Sequence, residues 1–158
     1  RPGIAFEKEG KSTYHPLFSE IVSLHAGGRN VNEARCGGLV GVGTLLDPSF
    51  SKADSLTGNM VGKSDTLPPT MSELTIETHI LERAVGTKDL MKVEEISLNE
   101  TLLLHVGAAV TVGKVSAVKK GIVTLKLTRP VCAQPESRVA ISRKMAGRWR
   151  LIGYGTMR

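Results

Sequence analysis

Aromatic residues are scarce in this chain, with three Phe, two Tyr and one Trp among 158 residues. Any core must therefore rest on Val, Ile, Leu and Ala. Only two cysteines occur, Cys36 and Cys132, far apart and without a CxxC partner, and the four histidines are scattered. That spacing excludes a zinc site of the usual kind. The cysteines read as reduced core residues more readily than as one disulfide. No apolar run approaches the roughly 18 residues that a spanning helix needs, and no charged-then-apolar signal segment opens the chain. A soluble, cytoplasmic protein with no membrane partner is the expectation. An initiator Met is also missing, and RPGIAFEKEGKSTYHP opens as if within a strand and its turn, so the chain reads as a fragment.

Glycine and proline, by contrast, are plentiful. Seventeen Gly and seven Pro are spread between short apolar runs, which points to many turns and to β structure rather than helical bundles. Residues 16–26 (PLFSEIVSLHA) fit a strand or a helical turn and a half, with strand favoured by Ile21-Val22 and the flanking Pro16 and Gly27-Gly28. In GGLVGVGTLL, residues 37–46, four glycines argue against a helix, because each costs about 1 kcal/mol relative to Ala. A strand approached closely by another backbone or a ligand fits better. The polar, Pro-ended stretch Gly62 to Pro69 is the best linker.

Beyond that linker the pattern becomes regular. Leu74, Ile76, Thr78 and Ile80 alternate with Thr75, Glu77, His79 and Leu81. Strands are expected over 101–106, 110–118 and 122–127, with Lys120-Gly121 as a hairpin turn. Two more follow in RVAISRKMAGRWRLIGYGTMR, joined at Met145-Ala146-Gly147. The fold class is therefore all-β, with six or so strands at roughly ten-residue spacing in a small antiparallel barrel or sandwich.

Charge is distributed unevenly. Residues 131–158 carry six Lys/Arg against one Asp/Glu, so five of the six net positive charges lie there. A basic end on a near-neutral body points to one anionic contact surface, although Lys and Arg also protect solvated strand edges. Arg143, Lys144, Arg148 and Arg150 are the RNA- or partner-binding residues this reading selects, interleaved with Trp149 and Tyr154. Trp149 itself is expected to pack in the core. No catalytic site is expected: Gly62-Lys63-Ser64 lacks the glycine-rich approach of a phosphate loop, and His25, His79 and His105 form no nucleophile constellation.

The strings RPGI, GGLVGVGTLLDPS, ILERAVGT, NETLLLHVG, LTRPVCA, RVAISRK and RWRLIGYG together resemble the gamma subunit of translation initiation factor 2, archaeal or eukaryotic, almost from end to end. The resemblance implies a GTPase domain followed by two small antiparallel β-barrels. Residues 1–66 would be the later part of the second, tRNA-binding barrel, incomplete at its N-terminus and not stable alone; residues 67–158 would be the third domain. It implies no cofactor within this fragment, with GTP and Mg belonging to the GTPase domain of the parent. It further implies binding of initiator methionyl-tRNA, assembly with alpha and beta subunits, and delivery of the tRNA to the small ribosomal subunit. By position, Gly38, Leu39, Val40, Gly41 and Val42, with Phe18 and Glu20, would line the pocket for the terminal adenosine and methionyl group. A stand-alone β-barrel module that binds RNA or an acidic protein is the alternative, and a specialised elongation factor a weaker third.

Overall fold

In a computed structural model, residues 3–8, 11–35, 37–86 and 92–158 are described. They divide into two compact units, Gly3–Leu56 and Thr57–Arg158. The division falls before the polar linker of the sequence reading. Residues just after Leu56 go with the second unit because Gly58 is pressed against the backbone of Ala108 and Ala109, within 3.1 Å of where a Cβ would sit.

The first unit is built from short strands. β1 (Ile4–Lys8) and β2 (Lys11–His15) form an antiparallel pair. β3 (Ile21–Ala26), β4 (Arg29–Val31) and β5 (Val40–Thr44) form a sheet in the order β4-β3-β5. Among the described residues of this unit, helix appears only as a short 3-10 segment, Pro48–Asp54, opened by Asp47, whose carboxylate accepts the Ser49 N–H at 2.8 Å. The Ser49 side chain and then this N–H hold the Asp47 carboxyl below its ordinary pKa by hydrogen bonding. None of the described residues of this unit is buried.

The second unit is a closed barrel. Its strands are β6 (Thr70–Ile80), β7 (Thr101–Val106), β8 (Ala109–Lys119), β9 (Ile122–Cys132), β10 (Arg138–Met145) and β11 (Arg148–Met157). They pair antiparallel in the order β10-β11-β6-β9-β8-β7, and β7 closes on β10. Closure removes the free sheet edges. Alternation places Leu74, Ile76, Leu104, Val115, Leu125 and Ile141 inside, all essentially without solvent contact. Cys132 is buried here as a free thiol, and Cys36 lies outside the described residues. Two hairpins turn on a residue pair with positive φ, Lys120-Gly121 and Ala146-Gly147, the mirror-image turn that matches strand twist.

β11 carries one irregularity that decides which side chains are accessible. Ile141 pairs with Gly153 but Ser142 pairs with Leu151, which leaves Ile152 as a bulge residue. Ile152 and Gly153 both turn inward, so Leu151 and Trp149 emerge on the outer face with Tyr154. Trp149 is therefore not the core residue expected from strict alternation.

Candidate nucleic-acid interface

The glycine strip occupies the edge strand β5. Val40 faces the same way as Val42, while Gly41 and Gly43 sit opposite His25 and Ser23 of β3. A Cβ added at Gly41 would touch the His25 Cβ at 3.4 Å, so on that face the β5 backbone is bare. No described strand pairs the other edge of β5. Bare backbone beside exposed Leu39 and Val42 offers N–H and C=O groups next to apolar surface.

The seven residues assigned to the tRNA pocket do not converge on one cavity among the described residues. Gly38 and Leu39 precede β5 at the end where Val40 meets Ala26. Phe18 and Glu20 lie ahead of β3, at the opposite end, where the Glu20 carbonyl accepts the Leu45 N–H at 3.3 Å. Five strand residues separate the two ends, about 17 Å of chain. They make an extended strip with an exposed aromatic at one end. The open groove of about 450 Å³ on this unit lies instead over β3 and β4, along Ile21 to Leu24 and Asn30 to Asn32.

On the barrel, the basic hairpin splits by face. Past the bulge, Arg143 lies across from Arg150 and Met145 from Arg148, on the face that continues the barrel interior; Lys144 pairs with Trp149 on the outer face. Two arginines directly opposite one another repel. Glu100 relieves this: its carboxylate accepts from Arg143 Nε and, at 3.1 Å, from Nη2. Arg143 also donates to the carbonyls of Glu94 at 2.9 Å and Glu95 at 3.1 Å. The two side chains are only 17% and 18% exposed. Arg143, selected from sequence as a contact for RNA or a partner, is thus engaged within the fold. The reason is the unbroken alternation of β10, in which Arg143 follows inward-facing Val139 and Ile141 and pairs with buried Leu102 of β7, so that it reaches over the barrel end and onto the 94–100 segment.

Two cations escaped the sequence reading. Arg83 and Lys92 form an isolated antiparallel bridge, and this turn is fastened along β11 by Leu81 N–H to the Ile152 carbonyl at 2.8 Å and Val85 N–H to the Leu151 carbonyl at 3.0 Å. Arg150 lies over the turn, its Nη1 2.9 Å from where a Gly86 Cβ would be. Lys144, Arg148, Arg150, Arg83 and Lys92 therefore surround one barrel end, with the exposed carboxylates of Glu82, Glu94 and Glu95 in the same region. No periodic pattern marks residues 82–95, so only the fold reveals Arg83 and Lys92.

No group of three His, Cys, Asp or Glu residues among the described ones could hold a metal ion. Gly62-Lys63-Ser64 lies in a turn region, where the Lys63 carbonyl accepts from Thr66, and no strand-to-helix junction cradles it. These residues do not fit a nucleoside triphosphate.

This arrangement makes the chain all-β, a closed six-stranded barrel preceded by small antiparallel sheets. In fold it is similar to a bacterial selenocysteine-specific elongation factor, EF-Sec, with a TM-score of 0.61 over 98% of this chain and 26% of that one, at 14% identity. The family described as initiation factor eIF2 gamma, C terminal, matches residues 72–157. The chain belongs to that family, the gamma subunits of translation initiation factor 2. It is 55% identical over its whole length to translation initiation factor 2 subunit gamma of Thermococcus kodakarensis, 53% to that of Pyrococcus furiosus and 51% to that of Methanopyrus kandleri. In each case it spans 38% of the relative's length. No helix among the described residues is long and apolar enough to cross a membrane.

Proposed function

We propose that this chain forms the tRNA-holding and assembly part of an initiation factor that binds initiator methionyl-tRNA and delivers it to the small ribosomal subunit. The carrying observation is that full-length 55% identity to an initiation factor gamma subunit coincides with a bare-backbone strip edged by exposed apolar side chains. Gly38, Leu39, Val40, Gly41 and Val42 would contact the methionylated end of the tRNA along β5, with Phe18 and Glu20 at the far end of the strip. A base ring stacks on exposed aromatics, and a thioether packs against Leu and Val. GTP and Mg would be bound by a GTPase domain in the whole protein, which also joins alpha and beta subunits in the cytoplasm. The basic barrel end would face RNA through Lys144, Arg148 and Arg150.

The test compares methionyl and deacylated initiator tRNA on the complete GTP-bound protein, with Leu39→Asp and Val42→Asp as variants. Preference for the methionylated form is expected to fall about tenfold or more, the effect of placing a charge where an apolar group docks. Equal loss for both tRNAs, or none, refutes the assignment of this strip. A stand-alone interaction module is the competing reading; it predicts no discrimination between the two tRNAs.

A further inference from the structure

The outer face of β11 has a composition unusual for a solvated sheet. Trp149 is 39% exposed, Leu151 37% and Tyr154 41%, and the bulge at Ile152 is what brings all three onto one side. Tyr154 stacks on His79 of β6, with centroids 4.9 Å apart and planes inclined by 24°. The Arg138 guanidinium sits 5.7 Å from the Tyr154 centroid. Lys144 lies directly across from Trp149. Cations thus accompany each aromatic, one at either end of the strand.

The charge balance on this face favours an anion. On the neighbouring strand β6, Glu77, two residues from His79, is already paired with Arg158 at 2.7 Å, while Glu82, Glu94 and Glu95 lie toward the barrel end. Glu136 stands at the β10 entrance, in the turn before Arg138. Successive outward positions of a strand are about 7 Å apart, so Trp149, Leu151 and Tyr154 form a row rather than a cluster. A row of ring faces with flanking cations suits splayed bases on a phosphate chain; a duplex hides its ring faces in the stack and offers only backbone.

We infer that the outer face of β11 is a platform for an unpaired RNA strand, with bases stacking on Trp149 and on the Tyr154–His79 pair and phosphates meeting Lys144 and Arg138. The platform rests on the reading of the basic barrel end as RNA-facing and specifies the kind of RNA. It requires no part of the β5 strip.

Trp149 is the chain's one tryptophan, which makes the test direct. The chain is titrated at low salt with an unstructured 12-nucleotide oligoadenylate and, separately, with a hairpin duplex RNA of equal phosphate number. Saturable quenching of indole fluorescence by the single strand is expected, with weaker duplex binding. Tyr154→Leu is expected to weaken single-strand binding about tenfold, and Tyr154→Phe to restore it, because stacking needs the ring and not the hydroxyl. Circular dichroism of both variants checks that the barrel is intact. Duplex binding as tight as single-strand binding, without quenching, overturns the platform and leaves the basic end as a backbone contact. Absence of binding to either RNA overturns both. Fluorescence that changes with protein concentration alone, together with a dimer in light scattering, assigns the face to a second copy of the chain and also overturns the platform.

Discussion

Arg143 provides the sharpest separation between a surface contact and a structural clamp. Replacing it with Met keeps the stem that covers the barrel end but removes the guanidinium. Two hydrogen bonds to the Glu100 carboxylate and one each to the Glu94 and Glu95 carbonyls are lost. Glu100 is left with the Ser97 N–H at 3.0 Å as its remaining donor. Removing one partner of a buried ion pair costs about 3–5 kcal/mol. Here each side chain keeps nearly a fifth of its surface in water and the carboxylate keeps one donor, so roughly 2–3 kcal/mol is expected.

Urea unfolding followed by far-ultraviolet circular dichroism measures this. With a slope of about 1.5 kcal/mol/M, the midpoint drops by about 1.3–2 M. Glu100→Gln keeps a neutral acceptor and is expected to lose about 1–2 kcal/mol. The double variant should lose less than the two singles combined, because the cycle counts the shared pair once. Arg148→Ala, on an exposed residue, should stay within about 0.5 kcal/mol of the parent. A loss below about 0.5 kcal/mol for Arg143→Met, combined with weaker RNA binding, refutes the clamp and returns Arg143 to the contact surface.

Two further perturbations probe the barrel. Gly113 and Gly153 both lie inside strands, but a Cβ at Gly113 meets the side chains of Leu104 and Leu125 at 3.2 Å, whereas at Gly153 it runs into the His79 carbonyl and, at 3.1 Å, the Ile80 Cα. Side chains yield and paired backbone does not, so Gly113→Ala should cost about 1–3 kcal/mol and Gly153→Ala more, by urea midpoint; the reverse order would disprove the close β6–β11 approach. For the exposed pair Glu77–Arg158, the hydrogen bond from Arg158 and then its charge hold the Glu77 carboxyl below 4.5. A depressed folded-state pKa stabilises above the ordinary carboxylate value and is lost as pH falls through the depressed one. The melting-temperature difference between parent and Glu77→Gln should therefore be present near neutral pH and vanish in acid, and a difference that persists in acid would show that the pair is not its source.

Much of the barrel was legible because period-2 alternation and turn chemistry are local. Leu74 to Ile80, Thr101 to Val106 and the Lys120-Gly121 turn emerge where their residues predict. Two features were not legible for the same physical reason. An amphipathic run tells which residues share a face but not which face is covered. In Gly3–Leu56, Ile21, Val22, Val42 and Leu45 are apolar residues in or beside strands, yet all are exposed within the described residues.

The bulge at Ile152 is the second feature, and it governs the functional reading. In RWRLIGYG, strict alternation puts Trp149, Leu151 and Gly153 on one face and Arg150, Ile152 and Tyr154 on the other. The extra residue reverses the relation across Ile152. Gly153 stays inside because the β6 backbone leaves no room for a side chain, and Ile152 fills the core beside it. Leu151 and Trp149 are then forced outward, while Arg150 is turned toward the barrel end, across from Arg143. One inserted residue thus moves an indole from the core to the surface. A single-residue deletion of Ile152 joins Leu151 to Gly153 in the register that Ser142 and Ile141 already impose, so Trp149 should stay outside, across from Lys144, while the Ile152 core contacts are lost. If Trp149 emission in that variant shifts toward shorter wavelengths while circular dichroism shows an intact barrel, the pairing of Ser142 with Leu151 is not what holds Trp149 outside.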